Sequence, residues 1–334
     1  MKKRTTIDDV AREAGVSRQT VSRAINGMGG ISANTRDRVM EMVDEMGFQP
    51  SRFARGMAGR QTQTIGLVIG NLTNPARAEI FQSLYNTAAA EHYNIFVRST
   101  DYQPSQELRA MQSLISENVD GIVIISPTLP EDQLAEFADK DCPIVVVHRE
   151  VIADHVSSIT TDVVRATKSV VEYLMGAGHT HIGLITRNGA LEAIRHVRGY
   201  KNALHGRGFP SNLESIVQDK VTLKGGYSAT LKLLSQHPDI SAIVAYDDLM
   251  ALGAMKACKE LGHRIPDDIA IMGYNDIPFA AFCSPTLSTI RINGREVGQR
   301  AFSRIKEMIA RPEVEFPPAV LDIDLVIRES TNRQ

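Results

Sequence analysis

Within the first 26 residues the apolar positions form two short helical stripes separated by a glycine. Ile7, Val10, Ala11 and Ala14 stand at i, i+3, i+4 and i+7, one face of an α-helix. Gly15 gives the backbone freedom a tight turn needs, and Val16 follows as a plug between two helices. Ser17 suits the N-cap of a second helix whose inner face is Val21, Ala24 and Ile25. A third helix is predicted over 32–47, capped by Ser32, with Val39, Met42, Val43 and Met46 inward and Gly47 at its end. From Thr64 the pattern changes. Apolar, β-branched runs at 65–69, 95–98, 121–125, 143–147, 182–186, 242–245 and 269–272 alternate with helical stretches around 75–92, 104–118, 163–177, 190–208, 224–236, 247–262 and 294–310. Such strands between helices predict parallel sheets covered on both faces. The similar openings at Ile65 and Ile182 predict two halves, with a cleft beyond the carboxyl ends of the strands. The fold class expected is an all-α helix-turn-helix headpiece followed by an α/β core of two doubly wound parallel-sheet subdomains.

Charge sharpens this picture. The second helix turns Arg18, Gln19, Ser22, Arg23 and Asn26 outward and carries no acid. Arginine can bond guanine bidentately and glutamine adenine, so this face suits double-stranded DNA. The net charge of the 334 residues is only −2, but residues 1–60 hold 11 basic against 7 acidic side chains and the remainder 26 against 32. A basic end on an acidic body fits an appended nucleic-acid module. The three cysteines, Cys142, Cys258 and Cys283, have no metal-ligand or disulfide spacing. The start Met1-Lys-Lys-Arg leads into polar residues, and no apolar run approaches the ~20 residues of a membrane span, so no membrane partner is expected and the cytoplasm is the expected location. No glycine-rich phosphate loop or nucleophile elbow follows a strand, which argues against an enzyme.

Many short stretches, in order, resemble the lactose-repressor (LacI/GalR) family of bacterial transcription regulators along essentially the whole chain. They include Asp9-Val-Ala-Arg-Glu-Ala-Gly-Val-Ser, Thr20-Val-Ser-Arg-Ala-Ile-Asn, Thr35-Arg-Asp-Arg-Val, Thr64-Ile-Gly-Leu-Val-Ile and Val119-Asp-Gly-Ile-Val. Gly178-His-Thr-His-Ile-Gly, Arg198-Gly-Tyr, Asp248-Leu-Met-Ala-Leu-Gly, Ile265-Pro-Asp-Asp-Ile, Gly273-Tyr-Asn-Asp-Ile-Pro and Arg328-Glu-Ser-Thr complete the series. The resemblance implies a DNA headpiece over 1–49, a hinge helix and linker over 50–62, and a core over 63–334 like a periplasmic sugar-binding protein. Its first subdomain would take about 63–162 and 293–322, its second about 163–292 and 323–334.

The same resemblance makes Arg18, Gln19 and Arg23 the base readers. Thr6, Ser17, Thr20, Ser22, Asn26, Ser32 and Thr35 would touch the DNA backbone, or equally serve as helix caps. Ala54 and Met57 would reach into the minor groove, where an apolar side chain unstacks a base step. Ser51 stands where an asparagine is common, and Gly56 costs ~1 kcal/mol of helix propensity, so this hinge is expected to order only on DNA. A homodimer would read a pseudo-palindromic operator with half-sites about one helical turn apart. No heptad pattern follows Arg328 to add a tetramerising tail.

The implied effector site comprises Asn74, Arg77, His148, Arg149, Asp162, His196, Asp247 and Asn275. Here the sequence departs from its relatives. Ala76 and Arg77 replace two frequent aromatics, His148 a frequent aspartate, His196 an arginine, Asp247 an asparagine, Asn275 an aspartate and Ile292 a glutamine. With Arg195 beside His196, these exchanges point away from a lactose- or purine-type ligand and toward a polar, partly anionic small molecule such as a sugar acid or sugar phosphate. The plainer alternative is that the histidines satisfy neighbours in a wet cleft and Arg149 meets solvent. No cofactor is expected, and no close-spaced motif supports a metal on His148, His196 and Asp247. The function expected is a DNA-binding regulator, read as a repressor switched by a small molecule. Control by a protein co-regulator, or a solute-binding protein without a DNA role, stays open.

Overall fold

The computed structural model describes residues 5–25, 28–48, 61–189, 191–206 and 215–332. Asn26, Ser51, Ala54, Gly56 and Met57, which carry the expected backbone and hinge contacts, lie outside the described residues. The chain divides into two compact units, Met1–Thr62 and Gln63–Gln334.

In the first unit α1 runs Ile7–Glu13, α2 Arg18–Ile25 and α3 Ala33–Glu45. Local hydrogen bonds fix where each begins. Thr6 and Asp9 form a capping box: the Asp9 N–H donates to Thr6 Oγ1 at 3.3 Å and the Thr6 N–H to Asp9 Oδ2 at 2.9 Å. Ser17 Oγ accepts the Thr20 N–H at 3.1 Å, and Ser32 Oγ accepts the Thr35 N–H at 3.1 Å. Gly15 turns the chain between α1 and α2 at φ +65, a left-handed conformation that costs glycine little. Val10, Val21 and Val39 are completely buried where the helices meet, and each contributes roughly 1.5–3 kcal/mol. Phe48 closes this core, its N–H donating to the Val43 carbonyl at 2.9 Å. Its ring is the last member of the three-helix core.

The second unit contains two six-stranded sheets. In the first part of the chain β1 (Thr64–Ile69), α4 (Pro75–Ala90), β2 (Asn94–Ser99), α5 (Pro104–Ser116), β3 (Gly121–Ile125), the short α6 (Glu131–Ala135), β4 (Ile144–Val147) and β5 (Val156–Thr161) follow in order. Next come α7 (Val163–Gly176), β6 (Ile182–Arg187), α8 (Leu191–Gly206), β7 (Ile216–Asp219), α9 (Leu223–Gln236), β8 (Ala242–Ala245), α10 (Asp248–Glu260), β9 (Ala270–Asn275) and β10 (Ser288–Arg291). The chain ends with α11 (Gly294–Ala310), β11 (Ala319–Leu321) and β12 (Asp324–Val326). Sheet one has the order β11-β5-β4-β3-β1-β2 and sheet two β12-β10-β9-β8-β6-β7. All neighbours are parallel except β10 and β12.

The backbone therefore passes from sheet one to sheet two after β5, back after β10, and over again between β11 and β12. In each sheet the strand order reverses beside the first strand, between β1 and β3 and between β6 and β8. A crevice opens beyond the carboxyl ends of strands at such a reversal. The loops that follow β1, β3, β4, β6, β8 and β9 supply the cleft described below.

Five strands and one helix do not show in the apolar pattern. β5 reads Val-Ser-Ser-Ile-Thr-Thr, yet all six residues are buried; Ser158 spends its polarity on the Val151 N–H at 2.9 Å. β7 is an edge strand of only four residues, β10 reads Ser-Thr-Ile-Arg, and β11 and β12 have three residues each, too few for alternation to register. Helix α6 has five residues. Among the described residues no helix is long and apolar enough to cross a membrane.

Packing of α9 on α10 depends on missing side chains. A Cβ on Gly253 would lie 2.1 Å from the Leu223 carbonyl oxygen, and one on Gly226 would lie 2.1 Å from that of Met250. In both cases the obstacle is backbone, which cannot rotate away. Gly253→Ala should push the two helices apart and lower stability by about 1–3 kcal/mol, the usual cost of overpacking. Urea unfolding of the variant checks this; an unchanged midpoint would mean that α9 and α10 are not packed this closely.

Candidate functional site

On the first unit, Arg18 and Gln19 are exposed at the start of α2, with Arg23 half-buried one turn further on. Arg18 Nε lies 4.0 Å from Asp8 Oδ1, a loose exposed pair of little energetic weight that leaves the guanidinium available. Arg23 leans toward the loop before α3, its Nη1 close enough to Gly30 to lie 3.2 Å from a Cβ there. Thr6, Ser17 and Ser32 are all engaged as caps, and the hydroxyls of Thr20 and Thr35 bond those of Ser17 at 2.9 Å and Ser32 at 2.8 Å. Ser22 is half-buried on α2. The resulting surface carries two long cationic side chains and an amide, with no acid in the first turn of α2.

In the second unit two adjoining chambers lie beyond the strand ends. Ala76, Arg77, His148, Glu192, His196, Tyr246, Tyr274, Asn275 and Ile292 line the inner one. Ser126, Pro127, Thr128, His148, Arg149, Arg187, Gly189, Glu192 and Arg195 line the outer one. His148 and Glu192 belong to both walls. Arg77 on α4 is only 5% exposed; its Nη2 donates to Ser126 Oγ at 3.3 Å, and its guanidinium stacks on Tyr102 with 5.2 Å to the ring centroid. Arg187 lies over the same ring at 4.9 Å. Tyr246 donates its hydroxyl to Glu192 Oε2 at 2.9 Å.

Ser126 determines the state of His148. Because its Oγ already accepts from Arg77, its proton is free to bond His148 Nδ1, 3.1 Å away. Burial pushes the pKa of His148 down, so the ring is neutral and a ring accepting at Nδ1 carries its hydrogen on Nε2. That Nε2 is buried without a hydrogen-bond partner, as is Nε of Arg77. Two buried N–H donors on the inner wall thus lack acceptors, an arrangement expensive to leave unmet and suited to an oxygen-bearing ligand.

The charges around them are set by burial and by each other. Burial alone would lower the pKa of Arg77, but Tyr102, Tyr246, Glu192 and Asp247 more than reverse it and hold the cation. Burial would raise that of Glu192, but the polar imidazoles of His148 and His196, the Arg77 cation and the Tyr246 hydrogen bond hold its carboxyl below the usual range. His196 is different. It is 3% exposed, its Nδ1 lies 3.0 Å from Thr167 Oγ1, and its ring sits 4.9 Å from those of both Tyr246 and Tyr274. Burial drives its pKa down to about 4, so it presents a neutral ring rather than an anion-binding charge.

The other expected positions separate in the same way. Asn74 and Asp247 are buried N-caps of α4 and α10, and Asn74 Nδ2 donates to Asp247 Oδ2 at 3.2 Å, a bond between the two halves. Asp162 is exposed and caps α7, its Oδ1 accepting the Arg165 N–H at 2.9 Å. Neither Asn74, Asp162 nor Asp247 is on the walls of the two chambers, whereas Arg77, His148, Arg149, His196 and Asn275 are. Arg149 also donates to the Leu129 carbonyl. Sequence reasoning missed Arg187, Glu192, Tyr102 and Tyr246. Arg187 and Tyr246 directly end or follow strands, so reading every strand end as a cleft position would have found them. Among the described residues no three His, Cys, Asp or Glu side chains are placed to hold a metal ion.

Comparison with known proteins agrees with both units. Residues 6–51 match the family model of bacterial regulatory proteins, lacI family, and residues 62–328 that of periplasmic binding proteins and the sugar binding domain of the LacI family. The chain is 30% identical to catabolite control protein A of Priestia megaterium, covering 98% of this chain and 99% of that one. It is 33% identical to the ribose operon repressor of Haemophilus influenzae, over 97% and 98% of the two chains. The Lac repressor dimer bound to operator and an anti-inducer superposes with a TM-score of 0.85 at 27% identity, covering 98% of this chain and 99% of that one.

The buried neutral state of His196 has a measurable consequence. Its folded pKa of about 4 lies below the ordinary 6.5, so the unfolded chain takes up the proton first. The stability it confers is complete above pH 6.5 and is lost as pH falls toward 4, at ~1.4 kcal/mol per unit. Between pH 7 and pH 5 the wild type should lose roughly 2 kcal/mol more than His196→Gln, measured by urea unfolding. Equal losses would place a charged or exposed imidazole at this position.

Proposed function

The chain belongs to the LacI family of bacterial regulatory proteins, and on that premise we propose that it is a cytoplasmic repressor that binds operator DNA as a homodimer and answers a carbohydrate-derived effector in the cleft of its core. The observation that carries this reading is the pairing, in one chain, of an acid-free outer face on α2 with a two-chambered cleft at two strand-order reversals. Arg18, Gln19 and Arg23 read base edges; the capped N-termini around Thr6, Ser17, Ser32 and Thr35, with Thr20, Ser22 and Asn26, hold the phosphates. Ala54 and Met57 enter the minor groove.

Relatives lend the cleft its role. The Lac repressor structure is that of a dimer on operator with a small molecule bound. In this chain Arg77, His148 and Asn275 contact the effector directly. His196 and Asp247 act one step back, the first as a wall for Tyr246 and Tyr274, the second as a partner for Asn74. Asp162 holds α7 rather than the ligand.

Selection of bound fragments from a random DNA pool, followed by mobility shifts on the selected site, tests the regulator reading. Gln19→Ala and Arg18→Ala should each cost about 1–3 kcal/mol on that site and relax preference at one base position. A protein that binds no sequence above random DNA would be a solute-binding protein with a headpiece of another purpose.

A further inference from the structure

The two chambers differ in charge, and that difference carries an inference about the ligand. Three guanidiniums, those of Arg149, Arg187 and Arg195, line the outer chamber against one carboxylate, Glu192. That carboxylate is already engaged from the inner side, where the Arg77 cation faces it and the Tyr246 hydroxyl donates to it. Among the described residues none of the three outer cations forms an ion pair. Burial is the first cause that lowers the pKa of Arg149, Glu131 and Glu107 oppose it, and Arg195 adds a smaller lowering. Like charges held together in a half-buried wall cost free energy that a bound anion returns. A neutral sugar would leave them as they are.

We propose that the cleft takes a sugar bearing one acidic group, with the oxyanion against Arg149, Arg187 and Arg195 and the hydroxyl-bearing frame toward Glu192 and the inner chamber. This rests on the effector-controlled regulator reading above. The inner wall suits the frame: Nε of Arg77 and Nε2 of His148 are buried donors awaiting oxygen acceptors, while Glu192 accepts from hydroxyls. Guanidinium groups offer paired N–H donors that match a carboxylate or a phosphate equally, so the chemistry assigned is the oxyanion. Arg187 is preset for this, its guanidinium held over the Tyr102 ring. The three arginines arrive from separate strand ends and a helix of both sheets, so the acidic group also bridges the two halves.

Calorimetric titration of the full-length protein with gluconate, glucuronate and glucose 6-phosphate, beside glucose and ribose, tests the proposal and separates carboxylate from phosphate. At least one acidic probe should bind about tenfold or more tighter than glucose, the span of one charge-assisted hydrogen bond. Arg195→Gln and Arg187→Gln should each weaken that probe about tenfold, and Arg195→Lys should weaken it less than Arg195→Gln because it keeps the charge. Binding of glucose or ribose as tight as any acidic probe overturns the proposal. So does failure of all three acidic probes, or indifference of the acidic probe to the arginine substitutions. Operator binding measured on the same samples keeps the two readings apart: specific DNA binding with a preference for neutral sugars leaves the regulator and removes the anion, whereas absence of specific DNA binding removes the regulator whatever the cleft holds.

Discussion

A buried cation in the cleft sets the terms for everything around it. Arg77 sits on the first helix after β1 at 5% exposure, and a guanidinium so far from water must be matched. Tyr102 from the same half, and Tyr246, Glu192 on α8 and Asp247 at the start of α10 from the other half, all favour its charge. The electrostatics of the site are therefore divided between the two sheets. Neither half holds a balanced set alone, and the Asn74–Asp247 hydrogen bond adds a further tie along the same line. Breaking a buried pair by removing one partner costs more than the pair contributes, so the halves have reason to stay together around Arg77.

That constraint explains why polar residues of the cleft fall into two kinds. Asn74, Asp162 and Asp247 stand where a strand end becomes a helix start, and the free N–H groups there demand an acceptor. Their side chains are committed before any ligand arrives. Arg77, His148 and Arg149 have no such local duty, and the first two keep unmet donors. From residue type alone Asn74, Asp162 and Asp247 look like ligand-binding groups, since a good cap and a good ligand-binding group can be the same short polar side chain. Only the hydrogen-bond partners separate them.

The headpiece and the long helices were legible because periodicity of 3.6 is strong over ten residues and capping residues mark its ends. Ser17 and Ser32 cap the helices expected of them. The apolar central strands were legible for a similar reason. β5 was not, because burial there is reached by pairing serine with backbone rather than by apolar side chains. Within the cleft, Arg77 and His148 were visible as departures from a family pattern, but their electrostatic partner was not. Glu192 lies far along the chain from both, and nothing in its local sequence distinguishes it from a solvated helix acid. His196 shows the converse: a histidine in place of arginine suggests new chemistry, while its burial between Tyr246 and Tyr274 makes it a neutral packing element.

The division of charge between halves also bears on how a ligand could act as a signal. A ligand shifts a conformational equilibrium only by its difference in affinity for the two states, and a swing from 1:99 to 99:1 needs about 10⁴-fold. Interactions made wholly within one half supply no such difference. Here the outer chamber draws Arg149 from the end of β4 in sheet one and Arg187 and Arg195 from β6 and α8 in sheet two. An acidic group that touches both sets meets its full complement only when the halves hold their present spacing, and forfeits part of it when they move. Forfeiting two charge-assisted hydrogen bonds on one side, at about 1.5–3 kcal/mol each, comes within range of the required difference. On the proposed binding mode, charge placement more than cavity shape would let this core distinguish its occupied from its empty state.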